Sequence, residues 1–171
     1  MTYKMLRLAL GLSAIVLCGA APTPSGAEED SAALAAAMKD ATVTLQAGLK
    51  ASEREGTPIS AKFEIEDGKL QLSVYTMKGD SFTEVVADPN TGAIKEAETI
   101  KEADDLKEAT AQKAAMAKAK VPLLTAAETV VNANAGPRAV SIVPEVKNGQ
   151  ATAEVTLLTG SAFKKVTEKL D

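Results

Sequence analysis

The sequence predicts an α+β fold in which a helix packed on a small antiparallel sheet of three to four strands occurs twice, the copies joined by a helical linker. Three observations predict it. Residues 59–88 alternate apolar and polar side chains in runs broken at Asp67-Gly68 and Gly79-Asp80, the pattern of half-buried strands joined by tight turns. The same order of elements returns after residue 121. Between the two lies a segment, 99–120, without a single Gly or Pro.

The chain opens with the features of a secretory signal. Lys4 and Arg7 supply positive charge, Leu8 to Leu17 is mostly apolar, and Ser25-Gly26-Ala27 offers small residues for cleavage after Ala27. That apolar run is shorter than the ~20 residues a membrane-spanning helix needs. Residues 1–27 are therefore read as a signal peptide, and the mature chain as periplasmic or secreted. Lipid attachment at Cys18 is the alternative, disfavoured because Leu17 precedes it where a small residue is usual.

The first copy is expected over residues 28–98. Ala41 to Glu55 carries Leu45 and Leu49 four apart and is closed by Gly56 and Pro58, a helix with a glycine stop. In residues 59–66, Ile59, Ala61, Phe63 and Ile65 alternate with Ser60, Lys62, Glu64 and Glu66. Asp67-Gly68 makes a hairpin turn, and 69–78 alternates again with Leu70, Leu72 and Val74 on one face. After Gly79-Asp80 a third strand runs through 81–88. The turn Asp88-Pro89-Asn90-Thr91-Gly92 leads into a short fourth strand from Ala93 to Ala97.

The linker at 99–120 is rich in helix formers, with an intermittent apolar stripe through Ile100, Ala103, Leu106, Ala114 and Ala117. The second copy, 121–171, repeats the plan. Thr125 to Ala135 is predicted helical, with Thr125 and Glu128 as a capping box, and Gly136-Pro137 stops it. Gly56 corresponds to Gly136, Asp67-Gly68 to Asn148-Gly149, Val74 to Val155, Gly79 to Gly160, Phe82 to Phe163 and Val85 to Val166. This copy is expected to be truncated, without the closing turn and last strand.

The order helix, glycine, alternating strand, D-G or N-G turn, second strand, and then Val85-Val86-Ala87-Asp88-Pro89-Asn90-Thr91-Gly92-Ala93-Ile94 resembles the PepSY domain. The resemblance implies a helix on an antiparallel sheet in an exported protein. It also implies the roles of such domains in peptidase propeptides, as inhibitors or folding aids. It carries no catalytic residues.

Composition narrows the chemistry. The chain has no histidine, and beyond Ala27 no cysteine, which excludes histidine-based triads, thiol nucleophiles and the common zinc ligand sets. Cleavage removes Lys4 and Arg7, taking 19 basic residues to 17 against 23 acidic, a formal charge of −6. Nucleic acid, which needs clustered cations, is thus not an expected partner. Ser161-Ala162-Phe163-Lys164 matches an S-x-x-K pattern, but it lies in a predicted strand and lacks the accompanying motifs. Asp88, Asn90 and Gly92 match the opening of a calcium loop, yet Thr99 stands where the bidentate acid belongs, so a turn explains them.

No catalytic residue, cofactor or metal is expected. Phe63, Phe82 and Phe163 are assigned to the helix–sheet interface, and Tyr75 is the candidate partner contact. The expected function is that of an exported non-enzymatic binding protein modulating a peptidase or other envelope protein, its sheet edge taking a strand of the partner. The alternative is a periplasmic small-ligand or metal-sensing domain of an envelope signalling system.

Overall fold

A computed structural model describes residues 26–171. The element order is α1 (Gly26–Ala37), α2 (Leu45–Ser52), β1 (Thr57–Glu66), β2 (Lys69–Lys78), β3 (Ser81–Ala87), β4 (Ile94–Thr99), α3 (Ala103–Met116), α4 (Leu123–Ala133), β5 (Arg138–Lys147), β6 (Gln150–Thr159) and β7 (Ala162–Lys169). The α+β fold and its two helix-and-strand halves are as the periodicity predicts. The halves do not keep separate sheets. Among the described residues the strands form one antiparallel sheet of seven, in the order β4-β3-β2-β1-β5-β6-β7.

The join is made by β1 and β5, which face each other with Ala61 opposite Ile142 and Lys62 opposite Ser141. Apolar residues at the seam explain why it closes. Ala61 and Ile142 are both buried, in the same cluster as Phe63, Leu72, Val74, Val155 and Leu157. Helices α2 and α4 cover this face with Leu45, Leu49, Leu123, Ala126, Ala127 and Val130, while Ala35 of α1 and Met38 just after it join the same core.

Turn chemistry sets the hairpins. Asp67 and Asn148 both have positive φ, followed by Gly68 and Gly149 also at positive φ, the pair that a two-residue hairpin turn requires. Both central strands carry a bulge at matching places, between Pro58 and Ser60 in β1 and between Ala139 and Ser141 in β5. The bulge changes the side to which Ile59 belongs. Instead of joining Ala61 and Phe63, Ile59 packs on the opposite face with Tyr75, Phe82 and Ala109.

Helix α3 lies on that opposite face. The segment between the copies is therefore a packed element, with Leu106, Ala109 and Met116 seated against Ile59, Tyr75, Met77 and Phe82. In chain order it stands to α4 as α1 stands to α2. Two boundaries differ from the sequence reading. Helix α2 starts only at Leu45, because Thr44 caps it by accepting the Ala47 N–H on its hydroxyl. Helix α4 starts at Leu123 after Pro122, so Thr125 and Glu128 lie inside it and form no capping box. Thr125 instead gives its carbonyl to the Thr129 hydroxyl at 2.9 Å.

Candidate functional site

Of the residues singled out in the sequence, Cys18 lies outside the described residues and Ala27 is in α1. Tyr75 is 5% exposed and covered by α3, so it presents no surface to a partner. It stands on the face opposite Leu72 and Val74, as strict alternation along β2 dictates. Its phenol and the Asp105 carboxyl on α3 act on each other electrostatically. Burial is the main cause that pushes the phenol's pKa far up, with the Glu84 and Asp105 carboxylates adding to it. Burial likewise raises the pKa of Glu84, and Glu64 adds to the effect. Asp105 is raised by burial, against the pull of Lys62.

This polar floor beneath α3 encloses a cavity of only about 30 Å³, lined by Ser60, Lys62, Tyr75, Glu108 and Gln112 among others. That is far below the roughly 300–1,000 Å³ of organic-ligand sites. Among the described residues no group of three or more His, Cys, Asp or Glu side chains is placed to hold a metal ion.

The Asp88 turn uses both oxygens of its carboxylate. Oδ1 accepts from the N–H groups of Asn90 and Thr91 at 2.9 and 2.8 Å, and Oδ2 pairs with Lys95 Nζ at 2.6 Å. Lys95 first, then those two N–H groups, hold the carboxyl well below its usual range. Ser161 precedes β7, and Lys164, within that strand, donates to Asn134 Oδ1 at 3.0 Å. Phe63 and Phe82 are buried on opposite faces of the sheet, whereas Phe163 is only half-buried at the end of the second copy.

Two open features remain. The outermost strands, β4 and β7, are each hydrogen-bonded on one side only among the described residues. The other feature is a groove of about 730 Å³. It runs between the end of α2, the start of β1, the end of α3 and the start of α4, with Leu49, Thr57, Met77, Met116 and Leu123 among its lining residues.

One interaction was invisible to motif reading. Arg138, the first residue of β5, spans to the loop after α1, donating from Nη1 to Met38 O and Ala41 O at 3.0 and 2.7 Å and from Nη2 to Val43 O at 2.8 Å. The signal for it was a mismatch between the repeats, because the corresponding residue of β1 is Thr57.

No family model matches the chain, and no curated protein does. Among solved structures it is similar to a crystal structure of a "putative lipoprotein" from Clostridium difficile 630, at 12% identity over 71% of this chain and 80% of that one, with a TM-score of 0.39. No helix among the described residues is long and apolar enough to cross a membrane.

Proposed function

We propose that this chain is an exported, non-enzymatic binding protein of the PepSY type that modulates a peptidase or other envelope protein by taking an extended segment of it onto a sheet edge. The observation that carries the reading is the outer edge of β7, which has no strand partner among the described residues. In the first copy the equivalent edge, that of β3, is occupied by β4 through pairs such as Val85 with Ala97 and Val86 with Glu96. Val166 stands in β7 where Val85 stands in β3, each opposite the matching valine of its neighbour strand. A strand added to β7 thus has a template within the same molecule, and main-chain hydrogen bonds supply affinity in that mode.

The test is to append a copy of residues 91–99 after Asp171, which supplies a β4-like strand to the β7 edge. With exported peptidases of the native host, the parent chain is expected to change substrate turnover and slow amide exchange in β7, and the extended chain to do neither. Unchanged turnover and unchanged exchange with the parent chain would overturn the proposal.

A further inference from the structure

The loop that leads into the second helix is held in the same way in both copies. Thr42 and Val43 donate their N–H groups to Pro89 O at 3.2 and 3.0 Å, and Lys120 and Val121 donate theirs to Leu170 O at 2.6 and 3.0 Å. Each loop has a methionine at its start, Met38 just after α1 and Met116 at the end of α3, and each ends at a helix cap, Thr44 and Pro122. Met38, Ala41 and Val43, the three acceptors of Arg138, therefore have counterparts in Met116, Ala119 and Val121. Arg138 itself has its counterpart in Thr57, next to the bulge that both central strands share.

The consequence is an asymmetry. At one junction between the copies, the space between Arg138 of β5 and the loop after α1 is filled by a guanidinium with three carbonyl partners. At the other, Thr57 is exposed and too short to reach across, and the corresponding space is the groove of about 730 Å³, which Thr57, Met116, Pro122 and Leu123 line. Rim charges offset one another. Arg54 pairs with Glu55 and Lys113 with Asp80, leaving Lys78 and Glu53 of opposite sign. Selection then rests on the loop carbonyls, of which that of Met116, a lining residue, also accepts the Ala119 N–H at 3.2 Å while Ala119 and Val121 lie behind the lining, and on the apolar walls of Leu49, Met77 and Leu123, which suit the stem of a long cationic side chain.

We propose that this groove binds an arginine side chain of a partner polypeptide, whose guanidinium takes at Met116, Ala119 and Val121 the place that Arg138 takes at the other junction between the copies. A planar fork of donors suits several fixed carbonyls better than the point charge of lysine. The site is distinct from the β7 edge and stands or falls independently of it.

The experiment is a titration of the full chain with N-acetyl-arginine amide, N-acetyl-lysine amide and N-acetyl-citrulline amide, followed by amide NMR shifts. The arginine probe is expected to shift Gly56, Thr57, Leu123 and Leu124 and to bind at least about ten-fold more tightly than the neutral citrulline probe, as charge-assisted hydrogen bonds require. Thr57→Arg is expected to abolish probe binding and raise the thermal midpoint, while Thr57→Leu, which fills volume without donors, is expected not to raise it. Absence of groove shifts with the arginine probe, equal affinity for citrulline, or a Thr57→Arg chain that binds like the parent would overturn the proposal.

Discussion

In the first copy, Gly48 of α2 rests against Leu72 of β2 so closely that a Cβ on the glycine would lie 2.3 Å from Leu72 Cδ2. In the second copy the corresponding positions hold Ala126 in α4 and Ala153 in β6, both buried in the same core. One copy packs a large residue of the strand against a bare helix backbone, and the other two small residues. The same exchange recurs at the strand start, where a short threonine faces a groove in one copy and a long arginine fills the space in the other. Duplicated backbones thus tolerate different side chains when each partner changes with its neighbour, as close packing requires.

The packing half of this comparison predicts the largest effects. Leu72→Ala is expected to destabilise by about 2–5 kcal/mol and Gly48→Ala by about 1–3 kcal/mol, the first from a cavity and the second from overpacking. The double variant recreates the Ala–Ala pair of the second copy. Chemical denaturation is expected to show it more stable than the sum of the two single changes implies, and strict additivity would show that the contact is not shared.

Arg138 comes next. Arg138→Met keeps the apolar stem and removes the donors, leaving three carbonyls at the loop unpaired by the chain. We expect a loss of about 1.5–3 kcal/mol in urea unfolding, with faster amide exchange at Thr42 and Val43 in the loop that Arg138 holds. An effect no larger than that of a surface substitution would mean that the clamp is replaced by solvent at little cost.

Acidic groups separate the copies more gently. Glu84 beneath α3 has a raised pKa, whereas Lys165 at the matching place of β7 pairs with Glu154 at 2.7 Å on the surface. A carboxyl whose folded pKa lies above its ordinary value contributes stability below that ordinary value and loses it as pH rises through the folded one. The stability of the parent chain is therefore expected to fall as pH rises above about 4.5, the ordinary value of Glu84. Asp105 acts in the same direction. Glu84→Gln is expected to flatten that decline in pH-dependent thermal melts, whereas Lys165→Met is expected to change stability by at most ~1 kcal/mol at neutral pH.

The smallest effect belongs to the Asp88 turn, which has no equivalent among the described residues of the second copy. Its lowered pKa acts with the opposite sign, so stability is present above the ordinary carboxylate range and is lost as pH falls towards the folded value. Lys95→Met is expected to shift that acid limb upward in pH. An unchanged acid limb would show that the two N–H donors alone hold the carboxylate.

Much of this was legible in the residues. Asp67-Gly68 and Asn148-Gly149 announced hairpins because both positions of such turns need positive φ, and these residues adopt it at least cost. Alternation along β2 likewise set Leu70, Leu72 and Val74 on one face, whereas the side of Tyr75 turned on whether a bulge lies in β2, and the register there is unbroken. The candidate sites were less legible. Tyr75 sits under a helix whose packing no local pattern specifies, and Arg138 acts on a loop 95 or more positions away in sequence. Ile59 followed the alternation in sequence and broke it in space, since a bulge leaves no mark in an apolar-polar pattern.

By itself the sequence determined the elements, their turns, the duplication and which residues of an unbulged strand share a face, because each of these depends on side chains a few positions apart. Only the tertiary structure decided that β1 and β5 meet to make one sheet, that α3 closes the face opposite α2 and α4, and that one junction between the copies is clamped where the other is open. Those outcomes depend on which buried surfaces of two nearly equivalent halves meet, and that choice is settled by burial and shape across the whole molecule.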